Sequence, residues 1–124
     1  MKLTQSDLNQ FIGTAHYYGH PLFPTLVFTD GIKFLAEKAG AFWLIDIVGS
    51  YQPKLKREPF QLWRLEKADE GAVVTCRQDT NEPDLVRQEI PYTDFPFDDL
   101  GDSFEWYVCQ NDETTFVMLL KSEY

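Results

Sequence analysis

The stretch AFWLIDIVGSYQ, residues 41 to 52, has to be assigned before any fold can be drawn. Phe42, Trp43, Leu44, Ile45, Ile47, Val48 and Tyr51 cover nearly every face of a helix, which is the pattern of a helix buried all round. The β-branched residues among them make a central strand the rival assignment. Trp43, Ile47 and Tyr51 fall at i, i+4 and i+8, so helix is preferred. Pro53 then stops it.

Toward the N-terminus, Thr4 is a candidate N-cap. Its side chain can accept from the backbone N–H of Asp7, and an acid suits the positive end of a helix. Leu8, Phe11 and Ile12 share a face at helical spacing, which predicts a short helix to about Gly13. Residues 13 to 24 contain two prolines and Gly19 and read as an irregular, aromatic-rich connection. TLVFTDGIKFLA, residues 25 to 36, has the form of a hairpin, with two β-rich runs around Asp30-Gly31. The helix propensity of LAEKA leaves a helix after Gly31 open.

Toward the C-terminus the chain turns sheet-like. FQLWRLEK, AVVTCRQD, DLVRQEIPY, SFEWYVCQ and TTFVMLLK are short, β-prone and separated by turn residues. Glu70-Gly71 is placed to close one hairpin and Asn111-Asp112 another. The order α-β-β-α-β-β-β-β-β predicts an α+β fold, a mostly antiparallel sheet of about five to seven strands with two helices on one face. No repeat, low-complexity segment or linker interrupts residues 1–124, so one globular domain is expected.

At 124 residues, 44% hydrophobic and 25% charged, the chain has the balance of a folded domain. Ten Phe, six Tyr and three Trp supply a ring-rich core. No run is long enough for a membrane helix, and MKLTQSDLNQ lacks the apolar region of a signal peptide. Cys76 and Cys109 suggest no disulfide framework, so reduced thiols in a cytoplasm are expected. The net charge of −9 is uneven. Residues 1–52 carry −1, residues 53–67 carry +3 and residues 68–124 carry −11. Such a surface repels nucleic-acid phosphate, so neither direct nucleic-acid binding nor a membrane is expected. The basic run PKLKREP, between prolines, reads as a solvated loop.

LTQSDLNQFIGTAHYYGHPLF, TDGIKFLAEKAGAFWLIDIVGSYQ, FQLWRLE, TDFP and the terminal SEY resemble domain of unknown function 6876, a small bacterial family. The resemblance is most specific over residues 30 to 52 and weakest from Phe97 to Thr115. It implies a compact bacterial domain and brings no activity with it.

HYYGH, residues 16 to 20, holds both histidines. H-x3-H on a helix presents two imidazoles on one face, as zinc sites use. Gly19 and Pro21 disfavour that helix and no Glu stands between the histidines, so neither metal nor cofactor is expected. Hydrogen bonding of both rings to backbone is the plain reading. Asp46 is the one acid in a segment that reads as buried. An unpaired buried carboxylate costs several kcal/mol. It is therefore expected at a helix edge in water or paired with donors, in a structural role. The sharper alternative makes His16, His20 and Asp46 the pocket of a small enzyme. Neither cysteine has a basic neighbour suited to activating it, and both read as small buried hydrophobes. No G-x-S-x-G, P-loop or G-x-G-x-x-G occurs.

YTDFPFDDLGDSFEWY, residues 92 to 107, alternates acids with rings. Either its rings pack inward under a solvated loop, or it is an acidic-aromatic docking surface made by Asp94, Asp98, Asp99, Asp102, Glu105 and Trp106. The second reading makes this a non-catalytic binding or regulatory protein with a basic protein partner. An exposed aromatic patch would equally suit a homodimer.

Overall fold

A computed structural model of the chain describes residues 3–13 and 16–124. In chain order its elements are α1 (Gln5–Asn9), β1 (Tyr17–Gly19), β2 (Leu26–Thr29), α2 (Asp30–Ala39), α3 (Phe42–Tyr51), β3 (Phe60–Ala68), β4 (Gly71–Arg77), β5 (Asp84–Ile90), α4 (Phe97–Leu100), β6 (Ser103–Gln110) and β7 (Phe116–Leu120). Short 3-10 turns follow α3 (Gln52–Lys54) and β7 (Lys121–Glu123). The seven strands form one sheet in the order β1-β2-β7-β6-β3-β4-β5. Among the described residues only the β2–β7 pair is parallel. This is the expected α+β architecture.

AFWLIDIVGSYQ is a helix. Leu44, Ile45, Val48 and Gly49 are buried, and the chain passes into the turn at Pro53 as the proline requires. Gly49 lies against the Phe23 ring, 2.5 Å from where a Cβ would stand, so a side chain there would have to displace the ring. The β6–β7 hairpin closes through the expected Asn111-Asp112, whereas the β3–β4 hairpin closes one residue earlier than expected, at Asp69-Glu70 with Asp69 at φ 55, because Gly71 already pairs with Ala68.

The expected hairpin at residues 25–36 is instead β2 followed by α2. Thr29 is the N-cap, its hydroxyl accepting from the Ile32 N–H at 3.3 Å. Ile32, Leu35 and Ala36 bury one helical face, and Gly40 closes the helix in the left-handed region at φ 62. Thr-Asp-Gly fits both a tight turn and a capped first helical turn, and burial of the 32–36 stripe decided between them. At the N-terminus Thr4 caps by accepting from the Asp7 N–H as expected, and the Asp7 carboxylate accepts from the Thr4 N–H in return to complete a capping box, yet α1 ends at Asn9. Beyond it Phe11 turns onto Phe34, ring centroids 5.2 Å apart, and leaves Ile12 out in solvent. The connection expected to be irregular contributes the short strand β1, while its residues 14 and 15 lie outside the described residues.

The core lies between the helices and one face of the sheet. Ile32, Leu35, Leu44, Ile45 and Val48 meet Trp63, Leu65, Val74, Trp106, Met118 and Leu120 there. Trp63 and Trp106 stack at its centre, 6.2 Å apart and 16° from parallel. Leu62, Val117 and Leu119 are buried but on the opposite face, beside Phe60 and Tyr107. Two polar clusters sit inside this apolar volume. The Gln52 and Gln61 amides bond reciprocally at 3.1 and 3.0 Å, and Gln61 Oε1 also accepts from Trp63 Nε1 at 2.9 Å. Glu123 accepts from Thr29 Oγ1 (2.6 Å), Leu120 N (3.0 Å) and Gly31 N (3.1 Å), so the C-terminal turn caps the start of α2. A Cβ on Gly31 would collide with that carboxylate.

Candidate functional site

His16 and His20 flank the three residues of β1. At a strand rise of ~3.3 Å per residue they stand about 13 Å apart, too far to share one ion. Each turns to a different helix. His16 is mostly exposed, its backbone N–H donating to Asp30 at 3.2 Å and its ring 3.7 Å from the same carboxylate. His20 is largely enclosed, and its Nδ1 accepts from the Leu22 N–H at 3.0 Å. Nε2 therefore carries the proton and donates to Asp46 Oδ1 at 2.5 Å. With both nitrogens engaged, the neutral ring keeps no lone pair free to accept a proton from a substrate. Asp46 projects from α3 at the solvent edge, so both conditions considered for it hold at once: it is wet and it is paired. Among the described residues, no group of three or more His, Cys, Asp or Glu side chains is arranged to hold a metal ion.

The cysteines lie on opposite faces of the sheet. Cys76 points into the core, where burial first, and then the Glu58 and Asp84 charges, push its thiol up to about 12. Cys109 is half-buried and its thiol is also raised by burial. Neither is an activated nucleophile. Tyr18, which donates to Asp30 at 2.9 Å, has its phenol raised by that hydrogen bond above all.

The acidic stretch divides in two. Its phenylalanines and Leu100 go inward: Phe95, Phe97, Leu100 and Phe104 are buried, and Phe95, Phe104 and Trp106 follow one another at 5.8 and 6.0 Å into the Trp63 stack. Trp106, expected on the docking surface, is fully buried and offers nothing to a partner. Its position follows from alternation along β6, which sends 104, 106 and 108 to the helix side. The same alternation puts Glu105 on the other face, bonded by Arg64 at 2.7 Å and Lys121 at 2.9 Å. Partial burial opposes its ionisation, but these two cations outweigh that and hold its carboxyl below the usual range.

Asp94, Asp98 and Asp99 converge. The 91–102 segment leaves the β5 edge, passes the β3–β4 turn and returns to β6 on the far side of β3. It is tied there by Thr93 N–H to Glu70 O at 3.1 Å and Lys67 N–H to Asp102 O at 2.8 Å. At Gly71 the chain leaving β5 passes so close that a side chain would strike the Ile90 and Pro91 carbonyls. The result is an open groove of about 570 Å³ lined by Asp69, Glu70, Asp94, Asp98 and Asp99, with Lys67 as its single basic residue among the described residues. Asp102 is exposed beside it without lining it. Tyr92, 73% exposed, stands at one end, where a second groove begins between α3 and β5 along Trp43, Ile47 and Ile90. Sequence reasoning missed Asp69, Glu70 and Tyr92. Glu70 was read only as a turn residue beside Gly71 and Asp69 not at all, and no local signal ties that turn to residue 94.

The grooves of about 570, 410 and 500 Å³ are lined by described residues other than His16, His20 and Asp46. No helix among the described residues is long and apolar enough to cross a membrane. No curated protein and no solved structure matches the chain. A family model does match, over residues 2–124, so the chain belongs to DUF6876, a family of unknown function.

Proposed function

We propose that this chain is a non-catalytic binding or regulatory domain that takes a basic segment of a partner protein into the carboxylate-lined groove at the β3–β4 turn. The observation that carries this reading is the convergence of five carboxylates from two separate stretches on one open groove beside an exposed tyrosine. Carboxylates steer and register a cationic partner, while a rigid ring supplies an anchor. The −11 charge of residues 68–124 extends the same field beyond the groove. The cytoplasm, where basic nucleic-acid-binding proteins are abundant partners, is the compartment this reading assigns.

The test is affinity capture from native lysate with wild-type protein beside a variant carrying Asp94→Lys, Asp98→Lys and Asp99→Lys. A stoichiometric basic partner, retained by wild type and lost by the variant, is expected. Its affinity should fall as salt shortens the screening length from ~10 Å at 0.1 M to ~3 Å at 1 M. A partner held equally by both proteins removes the groove from the argument. The rival reading, a small enzyme at His20 and Asp46, rests on their 2.5 Å contact. It requires a pH–rate profile that His20→Ala abolishes. In the binding reading Asp46 is structural, and Asp46→Asn leaves partner affinity unchanged.

A further inference from the structure

β5 (Asp84–Ile90) is the outermost strand on its side of the sheet and, among the described residues, pairs with β4 only. Alternate backbone N–H and C=O groups along its outer side therefore point at an open edge. Its register with β4 is regular from Val86 to Ile90, the one irregularity falling beyond Val86 toward Asp84. The edge thus has a straight run of five residues, long enough to template another strand. It also has an apolar flank: Trp43, Ile47, Ile90, Pro91 and Tyr92 line a groove of about 410 Å³ between α3 and this strand.

We propose that a second copy of this chain occupies that edge, the two β5 strands pairing antiparallel about a two-fold axis at Gln88. The register follows from charge. An axis perpendicular to the sheet keeps like faces together, so it must pass through a residue, because a one-residue slip would turn side chains to the wrong face. Centred on Gln88, it sets Arg87 opposite Glu89 of the second copy, and Glu89 opposite the second Arg87. Centred on Arg87 or on Glu89, it sets that charge against itself. Within one chain Arg87 and Glu89 are exposed and only 3.4 Å apart, so pairing adds two cross-strand contacts of opposite sign to contacts already present. On the helix side the same register places Val86 opposite Ile90 and extends the apolar groove across the axis. This assembly is self-complementary and closed, as a two-fold interface must be. It continues the sheet to fourteen strands, twice the seven of one copy.

The test is sedimentation equilibrium from micromolar to near-millimolar concentration on wild type, Arg87→Glu, Glu89→Arg and the double swap. Both side chains are exposed, so circular dichroism should show all four proteins folded. Wild type should dimerise. Each single variant puts like charges opposite one another at both contacts and should weaken the dimer by about tenfold or more. The double swap should restore it. A wild-type monomer throughout the range overturns the proposal. A dimer indifferent to the single variants, or one that the double swap fails to rescue, overturns the Gln88 register and with it the proposed edge pairing.

Discussion

Glu123 is the one charged residue that is buried among the described residues. Its replacement by alanine tests how the chain closes. The carboxylate takes three hydrogen bonds, from Thr29 Oγ1, Gly31 N and Leu120 N. Two of these donors belong to the capped first turn of α2, so the C-terminal turn and the helix start are held by one group. Alanine strands all three. A buried donor left without an acceptor costs ~1–3 kcal/mol, so even the low end gives a loss of about 3 kcal/mol. An unfolding entropy of ~2.1 cal/mol/K per residue, over 124 residues, converts that to a fall in Tm of roughly 12 °C. Calorimetry reads the fall directly, and amide exchange should locate it at Gly31, Ile32 and Leu120. Glu123→Gln keeps the shape and one acceptor oxygen but turns an NH2 group toward a donor, so an intermediate loss is expected. A Tm within about 3 °C of wild type for the alanine variant, under a quarter of that expectation, would refute the clamp.

The two stacked tryptophans should respond differently to Phe. Trp63→Phe loses the bond to Gln61, whereas Trp106 Nε1 has no hydrogen-bond partner among the described residues, so at similar lost volume Trp63→Phe should cost about 1 kcal/mol more by chemical denaturation. Glu105 titrates below its ordinary pKa of 4.5 in the folded chain, so the unfolded chain binds its proton first as pH falls. Its contribution is complete above that value and is lost as pH drops through the lower folded pKa. Between these limits, stability should fall more steeply with acid in wild type than in Glu105→Gln. Thiol labelling of the native protein at mildly alkaline pH should modify Cys109 slowly and Cys76 only after denaturation, since burial holds both thiols protonated.

Legibility in the sequence followed the range of the interaction. The Thr4 cap, the helix at 42–51 and the alternating strands are written in neighbours two to four residues apart and were readable, and the β3–β4 turn was missed by one residue. At Asp30-Gly31 local signals for a turn and for a helix start are of equal strength. The decision came from burial of Ile32, Leu35 and Ala36 and from Glu123, a partner 92 residues away from Gly31. The acidic stretch shows the same division. Its charge was plain, but the sequence reading set Trp106 and Glu105 on one docking surface, whereas alternation along β6 sends Trp106 inward and Glu105 to the other face.

The sequence by itself determined the kind of molecule: an acidic, ring-rich α+β domain whose periodicity and caps specify most helices and strands. Only the tertiary structure decided which carboxylates act together. The β5–β6 crossing carries Asp94, Asp98 and Asp99 to the Asp69-Glu70 turn, while hydrogen bonds to Arg64 and Lys121 hold Glu105 on the far face. Periodicity reports which face a side chain takes; which residues become neighbours depends on where the chain crosses the sheet, and no run of adjacent residues encodes that.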